Sequence, residues 1–98
     1  MKLYEILIPA TNNKGKRFDI DYHRKWDASI TQHFSTGLTI VKNLYHGKWR
    51  DEEVEPFIPV RICCGPITLE AIMAFTKDYY KQESVMAYEI SPNVIFYP

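Results

Sequence analysis

The chain has 98 residues, 46% of them apolar and 14% aromatic, with 12 basic and 12 acidic side chains. That length accommodates one hydrophobic core, and the aromatic content supplies enough burial to exclude a disordered chain. Zero formal charge argues against a nucleic-acid or membrane-surface partner, since both demand clustered positive charge.

Met1-Lys2-Leu3 leads into a short apolar run that Glu5 interrupts and Pro9 ends. A secretory signal is longer and lacks the Glu, and no stretch has the length of a membrane span, so a cytoplasmic location is expected. Leu3 to Ile8 predicts the first strand. Ala10 to Asp19 has loop composition, and its basic run Lys14-Gly15-Lys16-Arg17 lacks a phosphate-cradling glycine pattern, so it reads as solvated. Asp19 or Asp21 can cap a helix in which Tyr22, Trp26, Ile30 and Phe34 recur every four residues, and Gly37 suits its end.

Leu38 to Tyr45 predicts a second strand, which Lys48-Trp49-Arg50 can extend past His46-Gly47. Val54 to Cys64 predicts the third, with Val54, Ile58, Val60, Ile62 and Cys64 on one phase and Phe57, Pro59, Arg61 and Cys63 on the other. Pro56 and Pro59 remove ladder donors from its start. The adjacent Cys63 and Cys64 point to opposite faces of that strand, which disfavours a disulfide between them. After Gly65-Pro66, Thr68 can cap a helix carrying Leu69, Ile72, Met73, Thr76, Tyr79 and Tyr80 on one stripe. Gln82-Glu83-Ser84 is a turn, Val85 to Ile90 the fourth strand, and Val94 to Tyr97 a short extra C-terminal strand.

The order β-α-β-β-α-β predicts a single α+β domain over residues 1–98, a ferredoxin-like sandwich. Its antiparallel sheet has strand order 4-1-3-2, with both helices on one face. The uncovered face then carries Leu3, Glu5 and Leu7, joined by Phe57, Pro59, Arg61 and Cys63 and by Val85, Ala87 and Glu89. A mixed apolar surface of this kind wants a partner, and homodimerisation through the open sheet face is the expected solution. Glu5, Arg61 and Glu89 share that phase. They read either as an anion-binding arginine between two carboxylates or as a cross-strand charge cluster that sets register.

The motifs Phe34-Ser35-Thr36-Gly37-Leu38-Thr39-Ile40, Gly47-Lys48-Trp49-Arg50-Asp51, Glu55-Pro56 and Gln82-Glu83-Ser84-Val85-Met86 occur in that order, with Trp26 upstream. From Tyr4 to Tyr88 the chain resembles a family of small bacterial domains of unknown function, many of them lipoprotein-like. Phe57 stands where that family tends to have Ser, and the lipoprotein leader does not carry over. The resemblance implies a structural Gly37 and a core Trp26. It singles out Trp49, as a ligand platform or a cover for the hairpin, and Gln82, Glu83 and Ser84, as a bonded turn or a pocket wall.

His23, His33 and His46 lack the spacing of a metal site, and a nucleophilic pair of Cys63 or Cys64 with a histidine is disfavoured because both cysteines come from a buried-looking strand end. Tyr4 and Phe57 do not form paired base-stacking motifs, so RNA is not expected. No cofactor is implied. Two functions stay open: a homodimeric small-ligand-binding or interaction domain, and a cofactor-free enzyme of the dimeric α+β barrel type, monooxygenase- or isomerase-like, using His33, Tyr79 or Arg61 on a small aromatic or anionic substrate. The candidate ligand-binding residues are Arg61, Glu5, Glu89, Trp49, Gln82, Glu83 and Ser84.

Overall fold

A computed structural model describes residues 1–34, 38–40, 45–48 and 54–95. The elements run β1 Lys2–Pro9, α1 Ile20–Phe34, β2 Leu38–Ile40, β3 Tyr45–Lys48, β4 Val54–Cys64, α2 Pro66–Tyr80 and β5 Ala87–Ser91. This is a small α+β fold: an antiparallel sheet backed by two helices. The long strands β4, β1 and β5 lie side by side, and β2 and β3 both pair with the far edge of β4.

Period-two alternation in β1 sends Tyr4, Ile6 and Ile8 into the core, where Val60, Ile62 and Cys64 of β4 join them. The helices lay Trp26 and Ile30, and Ile72, Thr76 and Tyr80, onto this face. Ile6, Ile30, Ile62 and Ile72 are completely buried, and truncating any of them to Ala costs about 2–5 kcal/mol. A polar bond crosses the core: the Trp26 indole Nε1 donates to Thr76 Oγ1 at 3.0 Å, and that hydroxyl donates to the Ile72 carbonyl at 2.6 Å. At the outer edge of the helical layer, the Tyr22 hydroxyl donates to the Tyr79 carbonyl and the Tyr79 hydroxyl to the Tyr22 carbonyl.

Several expectations shift in detail. Thr68 is not a cap. Helix α2 begins at Pro66, whose ring fixes φ and whose absent N–H costs nothing at that position, and extended Gly65 precedes it with no side-chain cap. The helix ends at Lys81 in the left-handed conformation, φ 54°, with Gln82 N–H bonded back to the Lys77 carbonyl. The segment expected as one strand from Leu38 to Tyr45 contributes β2 and β3, and residues 41–44 lie outside the described residues. Pro59 falls where the β4 partner changes from β2, which ends opposite Val60, to β3, which begins opposite Phe57, a point that does not need its missing donor.

Val94 and Ile95 lie in no strand. The Ser91 hydroxyl bonds to the Asn93 backbone on both sides, turning the chain at Pro92 and leaving Ile95 exposed. Residues 96–98, and the expected helix end at Gly37, are outside the described residues.

Candidate functional site

The open face of the sheet carries the first cluster. Register places Glu5 directly between Arg61 of β4 and Tyr88 of β5. Glu5 is 1% exposed. Its Oε2 accepts from the Tyr88 hydroxyl, and its Oε1 from Arg61 Nε at 3.4 Å. Burying a carboxylate is costly unless donors replace its water, and these two do so.

Glu89 is not part of the cluster. The register shifts between Leu3 and Tyr4, so Glu89 stands opposite Tyr4 and reaches along the sheet edge to Lys2, with Oε1 2.9 Å from Nζ. That carboxylate holds the Lys2 ammonium above its ordinary pKa by hydrogen bond and charge. Val85 and Ala87 likewise pack against the core rather than on the open face. The opposite phase of β5 and its lead-in faces outward: Met86 (61% exposed), Tyr88 (43%) and Ile90.

From Glu5 the same phase of β1 continues to Leu7 and Pro9, and there the face deepens into a recess of about 500 Å³. Its floor is Leu7, Phe57 and Met86; its rim is Asn13, Gln82, Glu83 and Ser84. The rim is built by the end of α2. Lys81 turns the chain, Asn13 Nδ2 donates to the Lys81 carbonyl at 3.2 Å, and Gln82 Nε2 donates to the Tyr80 carbonyl at 3.0 Å. Leu7 N–H donates to the Met86 carbonyl at 3.0 Å, fixing the segment against β1. The Asn13 side is ordered by Asn12, whose Oδ1 accepts from the amides of Lys14 and Lys16, both at 2.9 Å, around Gly15 at φ 80°. Glu83 and Ser84 are exposed on the rim. Thus Glu5, Arg61, Gln82, Glu83 and Ser84 gather along one side of the molecule, Glu89 does not, and Trp49 lies outside the described residues.

His33, Tyr79 and Arg61 lie on different parts of the described structure. His33 is exposed in the last turn of α1, Tyr79 is engaged between the helices, and Arg61 lies on the opposite face of the sheet. Sequence reasoning missed a second pair on the helix-covered side: His23 Nδ1 and the Tyr80 hydroxyl lie 2.8 Å apart. Burial lowers the His23 pKa and raises that of Tyr80, so both are neutral at pH 7. The cysteines do point apart. Cys64 is buried, with its thiol pKa raised by burial first and by Cys63 second, while Cys63 Sγ lies 3.8 Å from Met1 Sδ on the open face.

Among the described residues no group of three or more His, Cys, Asp or Glu side chains is placed to hold a metal, and no helix is long and apolar enough to cross a membrane. No family model and no curated protein matches the chain. Among solved structures it is similar to a phage SAM lyase in complex with S-methyl-5'-thioadenosine, with TM-score 0.58 and 13% identity over 91% of this chain and 88% of that one. It also overlaps the C-terminal domain of an ABC transporter ATP-binding protein from Enterococcus faecalis, at TM-score 0.45 and 10% identity over 94% and 86%. The first likeness is one of fold; the second is too loose to support an inference.

Proposed function

We propose that the chain is a small-ligand-binding domain of ferredoxin-like architecture, associated with a second copy through its open sheet face, whose ligand sits in the recess between β1, β4 and the Gln82–Met86 segment. The observed order β-α-β-β-β-α-β, with β2 and β3 sharing one edge of β4, and the side-by-side placement of β5, β1, β4 and β2 support the architecture. Membership of the family of small bacterial domains described above is part of the same proposal. The exposed Met86, Tyr88 and Ile90 support association, because apolar groups in a row on an uncovered sheet are stabilised by a partner.

The observation that carries the ligand reading is the recess itself. It joins an apolar floor to four polar side chains in its lining, the composition of small-molecule sites, at a volume within their usual range of roughly 300–1,000 Å³. The phage lyase was solved with a thioether nucleoside, which makes that class the first to test. Its chemistry fits: the Asn13 and Gln82 amides can pair with a base edge, Glu83 can accept from ribose hydroxyls, and Leu7 and Phe57 can cover a methylthio group.

A second reading, a cofactor-free enzyme acting on such a ligand, is favoured by Glu5. A carboxylate withdrawn from water beside a tyrosine hydroxyl is the type of group that moves a proton in catalysis.

Isothermal titration of the purified chain with S-methyl-5'-thioadenosine and with S-adenosylmethionine tests the proposal. The expected result is saturable binding of at least one, weakened by Glu83→Gln. Absence of heat with both at roughly 1 mM ligand, where even weak sites fill, retires the nucleoside reading. Product analysis of the S-adenosylmethionine sample separates binding from turnover, and turnover that survives Glu5→Gln removes Glu5 from the chemistry. A monomer by light scattering removes the association.

A further inference from the structure

We infer that the helix-covered side of the sheet holds a second, separate binding site, for a small uncharged bicyclic aromatic molecule with one hydrogen-bond acceptor, in the cavity beneath the start of α1. The cavity measures about 340 Å³. It exists because α1 meets the sheet only from its second turn onward. Trp26 and Ile30 are buried, whereas Ile20 in the first turn is 65% exposed and stands off the surface. The gap beneath is walled by Ile8, Ile58 and Val60, with Trp26 at one side. These are short branched side chains on rigid strands, so the sheet cannot rise to close it. A ligand seated in the space adds dispersion contacts against this wall.

Size and polarity define the occupant. An apolar cavity of ~150 Å³ takes benzene, so a space roughly twice as large suits two fused rings. The partly buried His23 ring is open to an aromatic guest, with the buried Trp26 and Tyr80 rings behind it.

The polar part of the lining is the His23–Tyr80 pair. If the Tyr80 hydroxyl donates to Nδ1, the neutral imidazole carries its proton on Nε2; if Nδ1 carries it, the hydroxyl proton is left over. In either arrangement one N–H or O–H is unused between the two groups, and an acceptor on the guest takes it. Among the described residues no other side chain hydrogen-bonds to either ring nitrogen of His23. Arg24 and Asp27 stand at the mouth with opposite charges, and Arg24 also lies 3.6 Å from Asp21, so the approach favours neither cations nor anions.

Quinoline, two fused rings with one acceptor nitrogen, is the probe. Titrated into the full chain and followed by two-dimensional NMR, it should saturate while shifting the Trp26 indole N–H and the His23 ring signals. Tyr80→Phe should weaken it about 5–10-fold where the hydroxyl is the spare donor, and His23→Phe where Nε2–H is, the loss of one neutral hydrogen bond in either case; no loss in both variants would overturn the polar contact. Ile20→Trp plugs the mouth from an exposed position that the fold does not depend on, and should abolish saturable binding. Saturating S-methyl-5'-thioadenosine should leave the quinoline affinity unchanged, and displacement by it would overturn the claim of two separate sites. The inference also fails if quinoline gives no saturable shift at Trp26 and His23, or if the Ile20→Trp protein binds it as well as the parent.

Discussion

Replacing Tyr88 with Phe tests whether the open-face cluster holds in solution. The change removes one donor from a carboxylate with almost no contact with water, while the ring stays in place. A hydrogen bond to a charged group contributes about 1.5–3 kcal/mol, and with an unfolding entropy of about 2.1 cal/mol/K per residue the melting temperature should fall by roughly 7–15 °C. Arg61 does not compensate. Its side chain is 44% exposed and its Nε stands 3.4 Å from Oε1, so solvent screens the pair; Arg61→Ala should cost under about 1 kcal/mol.

Glu5→Leu, which removes the acceptor that Gln would keep, supplies the second edge of a double-mutant cycle. Urea denaturation of the parent, both single variants and the double variant should give a Tyr88–Glu5 coupling of about 1.5–3 kcal/mol. A coupling below about 0.5 kcal/mol, the ordinary error of additivity, would refute the cluster as drawn and the account of how Glu5 is kept out of water.

Thr76→Val keeps the side-chain shape and removes the acceptor for the Trp26 indole N–H, so urea denaturation should show a loss of about 1–3 kcal/mol, whereas Thr76→Ser should retain most of the stability. The native state disfavours charged His23, so its pKa is below the ordinary 6.5. The unfolded chain therefore takes up the proton first, and stability should fall as the pH drops below 6.5, with a shallower fall in His23→Gln; Tyr80, Arg24 and Asp27, which line the same cavity, stay constant in that comparison. A thiol reagent at neutral pH should label half-buried Cys63 well before Cys64, whose rate should rise only in denaturant; equal rates in the native protein would contradict the burial of Cys64.

Much of the fold was legible because its periodicities are strong. The four-residue recurrence of Tyr22, Trp26, Ile30 and Phe34, and the alternation of Tyr4, Ile6 and Ile8, each leave one packing face. The phase of β5 was misread because both phases of Val85 to Ile90 are apolar enough to be buried. Glu89 then looked like the outward marker, when a register shift and the reach of Lys2 give it an exit at the sheet edge. Gln82, Glu83 and Ser84 could be named as a polar turn, but their place beside Leu7 and Phe57 depends on how Lys81 turns the chain. His23 falls one residue off the helical stripe, and nothing in its neighbours along the chain announces Tyr80, 57 positions away.

The exchanged hydroxyls of Tyr22 and Tyr79 act as a latch. Each ring is anchored to the other helix's backbone, so neither helix can slip along its axis by even one residue without losing both bonds together. The two helices are therefore held in one register up to the point where α2 gives way to the turn that leads into the rim of the open-face recess.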